Sequence, residues 1–121
     1  MRRLTICLIA LLATCGASCD LRVEQLRNEI NHHPTLACIR HHESDRGPWP
    51  HRGGYQAQNP SSTASGAYQI LDGSWAVLAA QAGVDTALYP TAAHAPWYVQ
   101  DWVAFWAIAQ GGKHHWRGSG C

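Results

Sequence analysis

Two cysteines frame the part of the chain that must fold: Cys38 stands before the longest apolar segments and Cys121 is the final residue. A bridge between them would close a domain-sized loop, stabilising the fold by about 4–5 kcal/mol if chain entropy sets the gain. Such a bond requires that every element between the two return the chain to its starting point. It also requires an oxidising compartment. Two distant cysteines with no Cys-x-x-Cys nearby make a metal site the weaker explanation of the pair.

The first twenty residues supply the compartment. Arg2 and Arg3 precede the apolar run LTICLIALLA and then the small residues TCGASC. A basic start, a short apolar stretch and a small-residue zone are the parts of a secretory signal, expected here over residues 1–19. The apolar run is about half the length of roughly 20 residues that a spanning helix needs. Thr14 before Cys15 and Gly16 ahead of Cys19 make poor lipidation contexts, so a released, secreted protein is favoured over a lipid anchor at Cys15 or Cys19. No membrane span is expected in the mature chain. Residues 20–121 carry seven basic and eight acidic residues, a formal charge of −1. That balance offers no basic surface for nucleic acid.

Along the remainder, DLRVEQLRNEINHH (20–33) places Val23, Leu26 and Ile30 on one helical face, a short amphipathic helix or linker before the domain proper. Thr35 is the expected N-cap of LACIRHHES. DRGPWPHRGG (45–54) reads as a loop and YQAQNPSSTASGAYQIL (55–71) as an irregular hairpin around a polar turn. DGSWAVLAAQAG has Ser74 as expected N-cap and Gly83 just past its end. PWYVQDWVAFWAIAQGG starts on Pro96 at the first helical position and stops at paired glycines, apolar nearly all round. The expected fold is mainly α (α+β), with a helical body and a small hairpin flanking a cleft.

Glu43 is the residue this pattern does not explain. On a helix it falls within about 60° of Leu36 and Ile39, continuing a core-facing stripe. A carboxyl among apolar groups has its charged form disfavoured, so its pKa should rise toward the range of a proton donor.

The ordered set CIRHHES, YQAQNPSSTASGAYQILDGSW, APWYVQDWVAFWAI and HHWRGSGC resembles the transglycosylase-like domains of the lysozyme superfamily, similar to resuscitation-promoting factors and soluble lytic transglycosylases. The resemblance covers residues 35–121. It implies a lysozyme-like fold and cleavage of peptidoglycan between N-acetylmuramic acid and N-acetylglucosamine, by a monomer acting on glycan strands without cofactor or metal. It also implies Glu43 as catalytic acid/base and Gln69 lining the cleft. Ser44, Tyr55, Asn59, Gly66 and Tyr68 complete the candidate substrate-binding set. Asn59 serves equally well as a turn residue before Pro60. The loop after Glu-Ser is longer than the Gly-Gly-Asn-type turn of that family, and Ile70 stands where Phe is common, so specificity is open.

No aspartate makes a convincing second carboxylate: Asp45 points away, Asp72 begins a helix, and Asp85 and Asp101 show no sign of a cleft. A lytic transglycosylase needs none, which favours that route over a hydrolytic muramidase. Trp75, Trp102, Phe105 and Trp106 read as core; Trp49 and Trp116 have the better claim to be exposed platforms. The His-His pairs at 32–33, 41–42 and 114–115 suggest a His-rich metal-binding module as a rival. Adjacent helical histidines diverge by about 100°, however, and rarely share an ion. A noncatalytic wall-binding domain is the third possibility.

Overall fold

The computed structural model describes residues 18–44 and 54–121. Residues 1–17 of the expected signal, with Cys15, and residues 45–53 of the loop after Ser44, with Asp45 and Trp49, lie outside the described residues, while 18 and 19, also assigned to the signal, begin a helix. The architecture is mainly helical. Helix α1 occupies 18–31, followed by α2 (Pro34–Glu43), α3 (Asp72–Gln81) and α4 (Trp97–Ala109). Short 3-10 turns lie at Gly54–Gln56 and Ala92–His94, and a longer 3-10 segment, Gly112–Ser119, is kinked at Trp116. Among the described residues, no helix is long and apolar enough to cross a membrane.

α4 sits at the centre because it is apolar on several faces at once. Gln100, Val103, Ala104 and Ala107, spaced i, i+3, i+4, i+7, are buried along it. α2 packs against it through Leu36 and Ile39, both fully buried, and α3 through Trp75 and Ala79. Ile30, Tyr68, Ile70 and Trp116 close the same core.

Helix ends follow the sequence more closely at the C-termini than at the starts. Gly83 (φ 81°) ends α3 in a left-handed turn in which its N–H donates to Ala80 O and that of Val84 to Ala79 O. Gly111 (φ 85°) ends α4 in the same backbone conformation. At the starts, His33, Leu71 and Pro96 are the N-caps, in place of Thr35, Ser74 and a Pro96 one residue further in. None makes a side-chain cap bond. In α2 Pro34 at N1 explains the shift, because its missing N–H needs no cap.

On α1, read from the sequence as an amphipathic helix or linker, Val23 and Leu26 are half exposed and Ile30 enters the core near the C-terminal end. Arg27 adds a further link, its guanidinium lying 3.9 Å from the centre of the Tyr98 ring. Two readings of tryptophans are corrected, while Phe105 and Trp106, half-buried, pack against the core as expected. Trp102 is 37% exposed, with its indole N–H donating to Ala82 O. Trp116 is no platform: it is buried, and its indole N–H donates 2.8 Å to Tyr68 O. The segment 57–70 forms two isolated antiparallel bridges, Gln58 with Ser65 and Ser65 with Ile70, in place of a ladder.

Cys38 and Cys121 are bonded, with 5.9 Å between their Cα atoms across 83 residues. The bond ties α2 to the C-terminal segment, as the spacing of the cysteines suggested.

Candidate active site

Glu43 is the last residue of α2 and is half-buried. It continues the stripe of Leu36 and Ile39 to the point where the helix stops. The next residue fixes that point. The Ser44 N–H and hydroxyl both donate to Arg40 O, and the hydroxyl also reaches Ala67 O at 2.8 Å. Gly54 presses against the same spot: a Cβ there would meet Ser44 Oγ at 2.3 Å. The helix end carrying Glu43 is thus stitched directly to the 66–70 segment.

That segment is a tight double turn. Ser65 and Ile70 exchange both backbone hydrogen bonds, at 3.2 and 3.1 Å. Between them Gly66 (φ 77°) and Gln69 (φ 49°) both take the left-handed conformation. Gln69, a non-glycine residue in that region, donates from its side-chain amide to Gly66 O at 3.0 Å and remains half-buried. Gly66 has no room for a side chain, since a Cβ would lie 2.4 Å from Gln100 Oε1. Gln100 in turn holds three strands of chain together: Oε1 accepts from Ala67 N–H, and Nε2 donates to Tyr55 O and Ala95 O.

Behind this wall lies a buried polar cluster centred on Asp101, which is 1% exposed. Its Oδ1 accepts from Tyr68 Oη at 2.5 Å and Tyr55 Oη at 2.7 Å, and Oδ2 accepts from Asn31 Nδ2 at 2.8 Å. Arg40 donates to Tyr68 Oη at 2.8 Å and Asn31 O at 2.6 Å, and stands 3.4 Å from Asp101 as its ion-pair partner. Burial, reinforced by the Asp101 charge and only partly opposed by Arg40, pushes both phenols well above the ordinary tyrosine range. Burial alone would lower Arg40, but Tyr68, Tyr55 and Asp101 outweigh it and hold the guanidinium protonated.

The candidate residues therefore divide. Ser44, next to Glu43 at the end of α2, is bonded to Ala67 in the turn that carries Gly66 and Gln69, and Gly66 itself is buried. Tyr68 is 1% exposed with its hydroxyl spent on Asp101 and Arg40, so it supports the wall from behind and offers no surface to a ligand. Tyr55 is half-buried and belongs to the same cluster. Asn59 turns its Oδ1 onto Ser61 N–H at 2.8 Å, the turn role. Asp85 similarly accepts from Ala87 and Leu88 N–H. An open groove on α1, lined by Leu21, Glu24, Gln25, Asn28, Glu29 and His32, includes none of the candidate residues.

Sequence reasoning missed Asn31, Arg40, Gln100 and Asp101. The signal was present for two of them, since adjacent Gln and Asp in an otherwise apolar helix must be paired if that helix is buried. No family model, curated protein or solved structure matches the chain.

Proposed function

We propose that the chain is a secreted, lysozyme-like enzyme that cleaves peptidoglycan strands at the β-1,4 bond between N-acetylmuramic acid and N-acetylglucosamine. The observation that supports this reading is the hydrogen bond from Ser44 to Ala67, which fastens the end of the helix that carries Glu43 to the turn bearing Gly66 and Gln69. Glu43 is the last residue of α2 and is half-buried.

In the proposed reaction Glu43 protonates the glycosidic oxygen as the C1–O bond breaks. The 2-acetamido oxygen of the muramic acid closes onto C1 and stabilises the positive charge. Glu43, now a carboxylate, takes the proton from the C6 hydroxyl as that oxygen attacks C1, leaving a 1,6-anhydro ring. This route uses one carboxyl throughout. Asp85 is occupied by its turn and Asp101 by its cluster, which favours the single-acid route over a hydrolase with a carboxylate pair. Gln69 is the polar side chain assigned to the glycan, while Gly66 allows the turn to approach Gln100.

Digestion of purified peptidoglycan followed by mass spectrometry of the products tests the assignment. The wild-type chain should release muropeptides with 1,6-anhydro ends, and Glu43→Gln should release none while keeping its helical circular dichroism. Products carrying added water would make the enzyme a hydrolytic muramidase. Undiminished cleavage by Glu43→Gln would remove the acid, and with it the proposed chemistry.

A further inference from the structure

The disulfide sets two sulfur atoms beside a third donor that glycan cleavage does not use. Cys38 and His42 are four residues apart on α2 and so lie one above the other on a single helix face. Cys121 reaches the same face from the far end of the chain. The two sulfurs and a ring nitrogen of His42 all lie within 4.8 Å of one another. Two sulfurs and an imidazole form the donor set of soft tetrahedral cations such as Zn2+. Once the bond is broken the two sulfurs must separate from bonding distance to the roughly 3.5–3.8 Å spacing of tetrahedral ligands, with the His42 nitrogen at a similar distance from each.

The cysteines are held together by more than their bond. Trp116, buried against the core, donates to Tyr68 O; the Ser119 hydroxyl donates to Trp116 O at 2.7 Å; and Cys121 N–H donates to Ser119 Oγ at 3.3 Å. These contacts fasten the terminal segment to the core at Tyr68, and the segment also packs against α2. His42 is exposed, so water can reach the site.

We infer that, once an external dithiol has reduced the Cys38–Cys121 bond, Cys38, His42 and Cys121 form a three-ligand Zn2+ site with water as the fourth ligand. The exchange balances: the dithiol is oxidised to its own disulfide while two electrons and two protons pass to the cysteine sulfurs. Those protons leave when the thiolates take the metal. Disulfide and metal exclude each other, because both need the same two sulfurs. The site is independent of Glu43 and stands whether or not the chain cleaves glycan.

The test uses the full chain, reduced with a phosphine, desalted under nitrogen and titrated with Co2+ and then Zn2+. The expected result is one Co2+ per chain with thiolate charge-transfer and tetrahedral ligand-field absorption, displaced by Zn2+, in a protein that keeps its helical circular dichroism. The oxidised chain should show none of these bands. His42→Ala should weaken binding by about tenfold or more, since mutating even the outer-shell partner of a ligand typically costs that much. The double variant Cys38→Ser/Cys121→Ser, which keeps Cys7, Cys15 and Cys19, should not bind. Equal affinity in His42→Ala, cobalt bands in the double variant, no binding by the reduced chain, or binding only after the helical signal is lost would each overturn the proposal.

Discussion

Tyr68 and Asp101, 33 residues apart in sequence, share a 2.5 Å hydrogen bond with both side chains 1% exposed. Through it the turn beside Glu43 is fastened to the central helix. Asp101 carries a full charge into the core, and Arg40 together with three hydrogen-bond donors compensates it. Removing one member leaves the others buried without their partner. Asp101→Asn should therefore destabilise the fold by about 3–5 kcal/mol, the usual loss on breaking a buried pair. Tyr68→Phe should cost about 1–3 kcal/mol. Urea denaturation of both single variants and the double variant should show a coupling of about 0.5–3 kcal/mol, as expected for groups in one network. Additive losses would mean that the two residues act independently.

The same cluster should govern alkaline stability. The folded-state pKa values of Tyr55 and Tyr68 are raised above about 10, the value in the unfolded chain. In that case the folded state binds more protons than the unfolded state at high pH, and stability falls as pH rises. The contribution is fully present below pH about 10 and drains away above it. Phenolate absorbance followed beside circular dichroism should show two of the four tyrosines ionising only as the helices melt.

At the acid side a smaller effect of opposite sense is expected from His115. Burial, and after it the neighbouring His114, lower its pKa; the two rings stack with centroids 4.3 Å apart. Being depressed in the folded state, this group contributes stability that is present above about pH 6.5 and lost as pH falls below it. His114→Ala should move the His115 titration upward, as read from its ring protons by NMR. An unchanged midpoint would assign the shift to burial alone.

Gly66 and Gly83 offer a controlled comparison, with φ of 77° and 81°. Alanine at Gly83 meets nothing within 4 Å, so Gly83→Ala should cost only the left-handed backbone penalty of about 1–2 kcal/mol. At Gly66 the new methyl would also collide with Gln100 Oε1 and approach Ala92 Cβ at 3.1 Å. A further loss of about 1–3 kcal/mol from overpacking is expected there. Thermal melts of the two variants measure the difference directly. In Gly66→Ala, peptidoglycan cleavage should also fall, because displacing Gln100 frees Ala67 and with it the tie to Ser44.

What the sequence by itself determined is local or covalent. Gly83 and Gly111 end their helices where a left-handed residue is cheap, the apolar face of α4 makes it central, and Leu36, Ile39 and Glu43 share a stripe because 3.6 residues make a turn. The cysteine pair was legible because only two cysteines follow the first twenty residues. Burial at single positions was legible only in part: Trp75 is buried as its apolar helix suggested, but Trp102, in an apolar helix, is 37% exposed while Trp116, in a polar segment, fills the core, since packing and not local composition decides which face is covered. The Asp101 cluster was hidden for the same reason. Its partners Asn31, Arg40, Tyr55 and Tyr68 come from four separate places in the chain, and a hydrogen bond acts only over about 3 Å. Only the tertiary fold brings those places within that reach, and so only the fold decided that Tyr68 supports the 66–70 turn from inside the core, with its hydroxyl on Asp101.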